Sequence, residues 1–78
     1  MENDKTLTPR QAHMFDLIAQ FIKTNGYSPT VAELAKVYTN EDGEPTHPMT
    51  AHEVIATLKR KGYIDYAPNK ARTIRIRE

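Results

Sequence analysis

The stretch Thr50-Ala51-His52-Glu53-Val54-Ile55-Ala56-Thr57-Leu58-Lys59-Arg60-Lys61-Gly62 decides the fold, together with the two short runs that follow it, Tyr63-Ile64-Asp65-Tyr66 and Thr73-Ile74-Arg75-Ile76-Arg77. Ala51, Val54, Ile55 and Leu58 recur at i, i+3, i+4 and i+7, the spacing of one helix face, which leaves Met49, His52, Glu53, Ala56 and Arg60 on the outward side. Gly62 supplies a helix stop. In the two runs beyond it, Ile64 and Tyr66 alternate with Asp65, and Ile74 and Ile76 alternate with Arg75 and Arg77, so each reads as a strand with one apolar side. The turn between them, Pro68-Asn69-Lys70-Ala71-Arg72, is polar and basic. A helix closed by glycine and followed by a hairpin with a basic tip predicts the back half of a winged helix-turn-helix.

Working upstream, two further helix starts are written in the sequence. Thr8-Pro9-Arg10-Gln11 combines an N-cap hydroxyl, a proline at the first helical position and a glutamine that reaches back as a capping box. The helix it opens carries Phe15, Ile18 and Ile22 on one stripe, with Met14, Leu17 and Phe21 beside it, and ends at Asn25-Gly26. Thr30-Val31-Ala32-Glu33 is a second capping box, opening a short helix with Val31, Leu34, Ala35 and Tyr38 on its apolar side. Residues 39–46, with Glu41, Asp42 and Glu44, read as an acidic loop. The third helix has two candidate starts: a cap at Thr46 or His47 with Pro48 in the first turn, or a cap at Thr50 with Glu53 three residues on.

The expected architecture is therefore mainly α with a small β-hairpin. Its helices cover about 9–24, 31–38 and 48–61, and the hairpin 63–66 and 73–77. Residues 1–6 form a flexible arm and residues 7–78 one winged helix-turn-helix domain. With 78 residues and no cysteine, disulfides and thiolate metal sites are excluded, and the core is modest. No apolar run is long enough for a membrane span, so a cytoplasmic, nucleoid-associated protein is the expectation.

The formal net charge of +1 conceals a polarity. From Lys59 onward seven basic residues face Asp65 and Glu78, a balance of +5; the residues before Lys59 sum to −4. Positive charge concentrated on one terminal segment is the footprint of a nucleic-acid face, although a solvated hairpin carries the same pattern.

Element order and residues together resemble the N-terminal DNA-binding domain of the LexA repressor family. Leu7-Thr8-Pro9-Arg10-Gln11 and Phe15-Asp16-Leu17-Ile18 are similar to its first helix. Gly26-Tyr27-Ser28-Pro29-Thr30 and Ala32-Glu33-Leu34-Ala35 are similar to its link and second helix. Leu58-Lys59-Arg60-Lys61-Gly62-Tyr63-Ile64, then Arg72 and Ile74-Arg75, are similar to the end of its third helix and its wing. The resemblance covers about Leu7 to Ile76 and implies sequence-specific binding of double-stranded DNA by a transcriptional repressor. It departs in two places. The connection over residues 39–46 is longer than the family's tight turn, and its acidic residues would repel phosphates if they faced the duplex. At the start of the recognition helix Pro48, Ala51 and Glu53 match, but His47, Met49, Thr50 and His52 do not, so the family's operator is not carried over. The resemblance also implies a self-cleaving, dimerising serine–lysine domain; here the only serine is Ser28, which suggests a free-standing regulator of phage or mobile-element type, or a fragment of a longer protein.

The expected chemistry is binding. Glu53 suits a cytosine amino group, His47 and His52 suit purine acceptors, and Met49 or Thr50 suits a thymine methyl, each good base contact giving about 1–3 kcal/mol of discrimination. Lys59, Arg60, Lys70 and Arg72 are the candidates for phosphates or the minor groove, whereas Arg75 and Arg77 read as solubilising residues. His52-Glu53 starts like a zinc-protease motif, but Ala56 stands where its second histidine belongs, so neither catalysis nor a metal or other cofactor is expected. Expected partners are double-stranded DNA and a second copy, as a homodimer or paired cooperatively on DNA, with no membrane and no small-molecule ligand. The rival readings are a winged-helix protein-interaction module, such as a small phage inhibitor of a host factor, and an architectural DNA binder.

Overall fold

A computed structural model describes residues 6–39, 43–67 and 70–77. Local capping rules set most element boundaries. Helix α1 (Pro9–Asn25) opens on Thr8, whose hydroxyl accepts from the Gln11 N–H at 3.2 Å while the Gln11 side chain accepts from the Thr8 N–H at 3.0 Å. It closes at Gly26, whose φ of 79° is the left-handed conformation glycine adopts without a Cβ penalty. Helix α2 (Val31–Val37) opens on the second reciprocal box, Thr30 with Glu33, and is capped at Tyr38. Helix α3 (Pro48–Arg60) is followed by Lys61 and by Gly62 at φ 88°. The Gly62 and Tyr63 amides donate to the Lys59 and Leu58 carbonyls, both at 3.0 Å, a Schellman closure that turns the chain directly into the wing.

Of the two candidate starts for α3, the one at Pro48 is adopted. His47 is the N-cap and its Nδ1 accepts from the Met49 N–H at 3.1 Å, while the Ala51 N–H donates to the His47 carbonyl. Proline at N1 lacks the donor that would otherwise be orphaned there, so a start at Pro48 keeps close to a full extra turn over one capped by Thr50. The expected strands are also longer than those found. β1 (Ile64–Asp65) and β2 (Arg75–Ile76) pair antiparallel over two residues each, Ile64 with Ile76 and Asp65 with Arg75. Tyr66, Thr73 and Ile74 lie outside the ladder. The Ala67 N–H there donates to the Thr73 hydroxyl and the Ile74 N–H to the Ser28 hydroxyl, so side chains replace backbone partners.

The core is one cluster: Met14 and Ile18 of α1, Leu34, Ala35 and Tyr38 of α2 and its cap, Ala51, Ile55 and Leu58 of α3, with Ile64 and Ile74 of the wing. Phe15 and Ile22 of the expected α1 stripe, and Val54 of the expected α3 face, are half-buried at its edge. In α1 the deepest line runs through Met14 and Ile18, because α2 and α3 cover that side. Tyr38 is buried with its hydroxyl satisfied: it donates to the Arg10 carbonyl at 3.1 Å and accepts from Arg10 Nε at 3.3 Å, as a buried phenol requires. His13 stacks on the same ring. The α2–α3 connection returns through a Thr39–Pro45 bridge, and the Thr46 N–H is shared between the Ala35 and Tyr38 carbonyls. Residues 40–42 of that loop, residues 1–5 of the expected arm, Pro68 and Asn69 of the wing turn, and Glu78 lie outside the described residues.

Candidate nucleic-acid interface

The buried line Ala51–Ile55–Leu58 fixes the rotation of α3. Because that line faces the core, His47, Met49, His52, Glu53 and Arg60 are all exposed, and Thr50 is half-buried. Met49 shows 68% of its surface, an apolar side chain held in water at the helix N-terminus. The helix dipole adds positive character at this end. The His47 Nδ1 is occupied by the Met49 amide, which leaves Nε2 as the ring nitrogen not used by the cap.

An open cleft of about 450 Å³ separates the start of α2 from the wing, lined by Thr30 and Val31, His52 and Lys59 of α3, and Tyr66, Ala67, Lys70 and Ala71. It brings together one expected base-reading residue, His52, and two expected backbone residues, Lys59 and Lys70. Arg60 is exposed on α3 and does not line it.

The seven basic residues from Lys59 onward are not equivalent. Lys59 Nζ donates to the Tyr66 carbonyl at 3.1 Å, sits 4.5 Å from the centre of the Tyr66 ring and lies 3.9 Å from Asp65. Lys61 Nζ donates to the Thr6 carbonyl at 2.7 Å and to Gln11, tying the segment before α1 to the end of α3. Arg75 lies 3.9 Å from Asp65 across the hairpin. Arg72 is engaged most fully: Nη2 meets Glu33 Oε2 at 2.8 Å, Nη1 meets Glu33 Oε1 at 3.1 Å and the Ser28 carbonyl at 3.0 Å, and the guanidinium lies 5.0 Å from the Tyr27 ring centre. Only Arg60, Lys70 and Arg77 have side chains without a partner among the described residues. The +5 read from the sequence is thus partly neutralised inside the fold, and Arg72 in particular binds its own domain.

Charge states follow this geometry. Hydrogen bonding by Arg72, then by the Thr30 N–H, holds the Glu33 carboxyl below its ordinary value against a smaller opposing effect of burial. The same pair raises Arg72, chiefly through its hydrogen bond to Glu33. Among the described residues there is no group of three His, Asp or Glu side chains able to hold a metal, and no helix long and apolar enough to cross a membrane.

Sequence reading missed Ser28. It is buried in the α1–α2 link, its hydroxyl donating to the Pro29 carbonyl at 2.8 Å and accepting from the Ile74 N–H at 2.9 Å. Its partner is 46 residues away, and no local pattern marks it.

Three helices, an exposed third-helix N-terminus and a two-stranded hairpin beside it define a winged helix-turn-helix of the DNA-binding type. The chain belongs to the LexA DNA-binding domain family, whose model, the LexA DNA binding domain, matches residues 4–73. It is 42% identical over 72 residues to the LexA repressor of Ralstonia pickettii (strain 12J), covering 92% of this chain and 31% of that protein. To the LexA repressor of Cupriavidus metallidurans it is 40% identical, and to that of Thermosipho africanus 36%, again over 92% of this chain and 31% and 33% of those proteins. The chain therefore spans about a third of the length of these relatives.

Proposed function

We propose that this domain reads a duplex operator as the DNA-binding part of a transcriptional repressor. The N-terminal half of α3 enters the major groove, and the wing lies along the adjacent backbone or minor groove. The observation that carries the reading is the exposed constellation at the start of α3, where Met49, His52 and Glu53 project from a helix whose opposite face is locked into the core. In this pose Glu53 accepts from a cytosine amino group, His52 and the Nε2 of His47 bond to purine acceptors, and Met49 or Thr50 packs on a thymine methyl. Arg60 and Lys70 supply phosphate contacts; Lys59 contributes from the lining of the cleft while bonded to Tyr66. A regulator of phage or mobile-element type suits the altered recognition positions, and two copies paired on DNA supply the affinity a single small module lacks.

The test is selection from a random duplex library, followed by anisotropy titrations of the recovered and scrambled duplexes at several salt concentrations. The reading expects a recovered motif bound in clear preference to the scramble, with a log–log salt slope of roughly −4 to −5 for about four to six neutralised phosphates. Equal, salt-sensitive binding to both duplexes would indicate an architectural binder. Absence of binding at low salt would leave a protein-interaction module.

A further inference from the structure

We propose that Arg72 and Glu33 form a latch that fixes the orientation of the wing, so that Arg72 governs DNA binding by positioning the hairpin and Lys70 rather than by touching a phosphate. The inference rests on the DNA-binding reading for its consequence, but the latch itself is a property of the free domain.

A two-residue antiparallel ladder adds little rigidity of its own, since two-stranded ribbons are marginal in water. Ile64 and Ile74 anchor the base of the wing in the core, and its turn is held by long-range ties at one corner of the fold. Arg72 presents both terminal nitrogens to the Glu33 carboxylate, takes the Ser28 carbonyl as a third acceptor and lies against the Tyr27 ring. Two residues on, the Ile74 N–H is bonded to the Ser28 hydroxyl. Tyr27 and Ser28 belong to the α1–α2 link and Glu33 to the first turn of α2, so a single side chain ties the wing turn to two other parts of the domain.

The backbone supports the same assignment. Arg72 has φ 58°, the left-handed conformation that turns ordinarily give to glycine or asparagine. A residue bearing an unbranched cationic chain is retained there when its surroundings over-determine the conformation. A planar fork matched to a carboxylate does so, and lysine at the same place would not. Glu33 is itself pinned from the other side, since its Oε1 accepts the Thr30 N–H in the capping box while both oxygens receive Arg72.

The experiment compares E33Q, R72K, R72Q and the double variant E33Q/R72Q with the wild-type domain. Duplex binding is measured by anisotropy across a salt series, and amide exchange of Ile74 is followed by NMR without DNA. E33Q keeps the capping box, since glutamine serves at that position, but places an amide against the guanidinium. Removing a negative charge ordinarily strengthens binding to a polyanion. The latch gives the opposite sign: E33Q and R72K bind about threefold to tenfold more weakly, the factor for a docked wing populated a third to a tenth of the time. The salt slope stays at the wild-type value, Ile74 exchanges faster, and the double variant binds no more weakly than R72Q. A phosphate contact predicts otherwise: E33Q equal or tighter, R72K close to wild type, and R72Q with a slope smaller by about 1. That result, or unchanged Ile74 exchange in E33Q, overturns the proposal. If the wild-type domain binds no duplex, the DNA reading fails, while the exchange comparison still decides whether the latch exists.

Discussion

Replacing Ser28 with alanine removes one oxygen, and the structure sets what that costs. The Ile74 N–H lies in a buried position and has the Ser28 hydroxyl as its acceptor at 2.9 Å. Ser28 is itself only 9% exposed, so water does not readily take the oxygen's place. A buried donor left unpaired costs about 1–3 kcal/mol, more than the net value of the bond when it is made. Taking about 2 kcal/mol, and roughly 4–8 °C of melting temperature per kcal/mol for a domain of this size, Ser28→Ala should lower the Tm by roughly 8–16 °C. Ser28→Cys, nearly the same shape but a weak acceptor, should fall between wild type and alanine. Thermal unfolding by far-UV circular dichroism, with urea titrations to check that the m-value is unchanged, measures both. A fall of less than about 2 °C for Ser28→Ala, with the Ile74 amide as protected as in wild type, would refute the reasoning, because it would mean that the wing is held without this bond.

Three further outcomes follow from the same geometry. Glu33 has its folded-state pKa below its ordinary value of 4.5, so its contribution to stability is complete above that value and is lost as pH falls through the lower folded value; the difference in urea midpoint between wild type and E33Q should hold constant from neutral pH to about 5 and then shrink as pH falls further. His47→Ala removes the cap of α3 and should cost about 0.5–2 kcal/mol in urea unfolding, whereas His47→Asn restores most of that stability, so any remaining loss of duplex affinity in the asparagine variant measures base reading separately from capping. Arg60→Ala and Lys70→Ala should each weaken recovered and scrambled duplexes alike and reduce the salt slope by about 1, read by the same anisotropy series.

The elements that sequence reading located well are those whose causes are local. Both capping boxes formed as spelled, because Thr8 with Gln11 and Thr30 with Glu33 need only a three-residue spacing and a helical turn. Gly26 and Gly62 ended their helices in the left-handed conformation that glycine permits. The apolar face of α3 was set by period alone, and with it the outward direction of Met49, His52 and Glu53. Where two local rules competed, as at the start of α3, the sequence left both open, and the structure adopts the earlier cap, with Pro48 at the first helical position and His47 Nδ1 on the Met49 amide. The strands were overestimated because alternation persists through Tyr66 and Thr73, while the backbone there leaves the ladder for side-chain partners.

By itself, then, the sequence determined the helices, their caps, the core stripes and a basic terminal segment, since each depends on residues a few positions apart whose interactions form within one helical turn or one hairpin. It could not decide which basic residues remain for a ligand. Arg72 and Glu33 are 39 residues apart, Lys61 and Thr6 are 55, and Ile74 and Ser28 are 46. Such pairs meet only after α1, α2 and α3 have packed, and only tertiary structure divided the positive charge between cations that hold the wing in place and cations left facing outward.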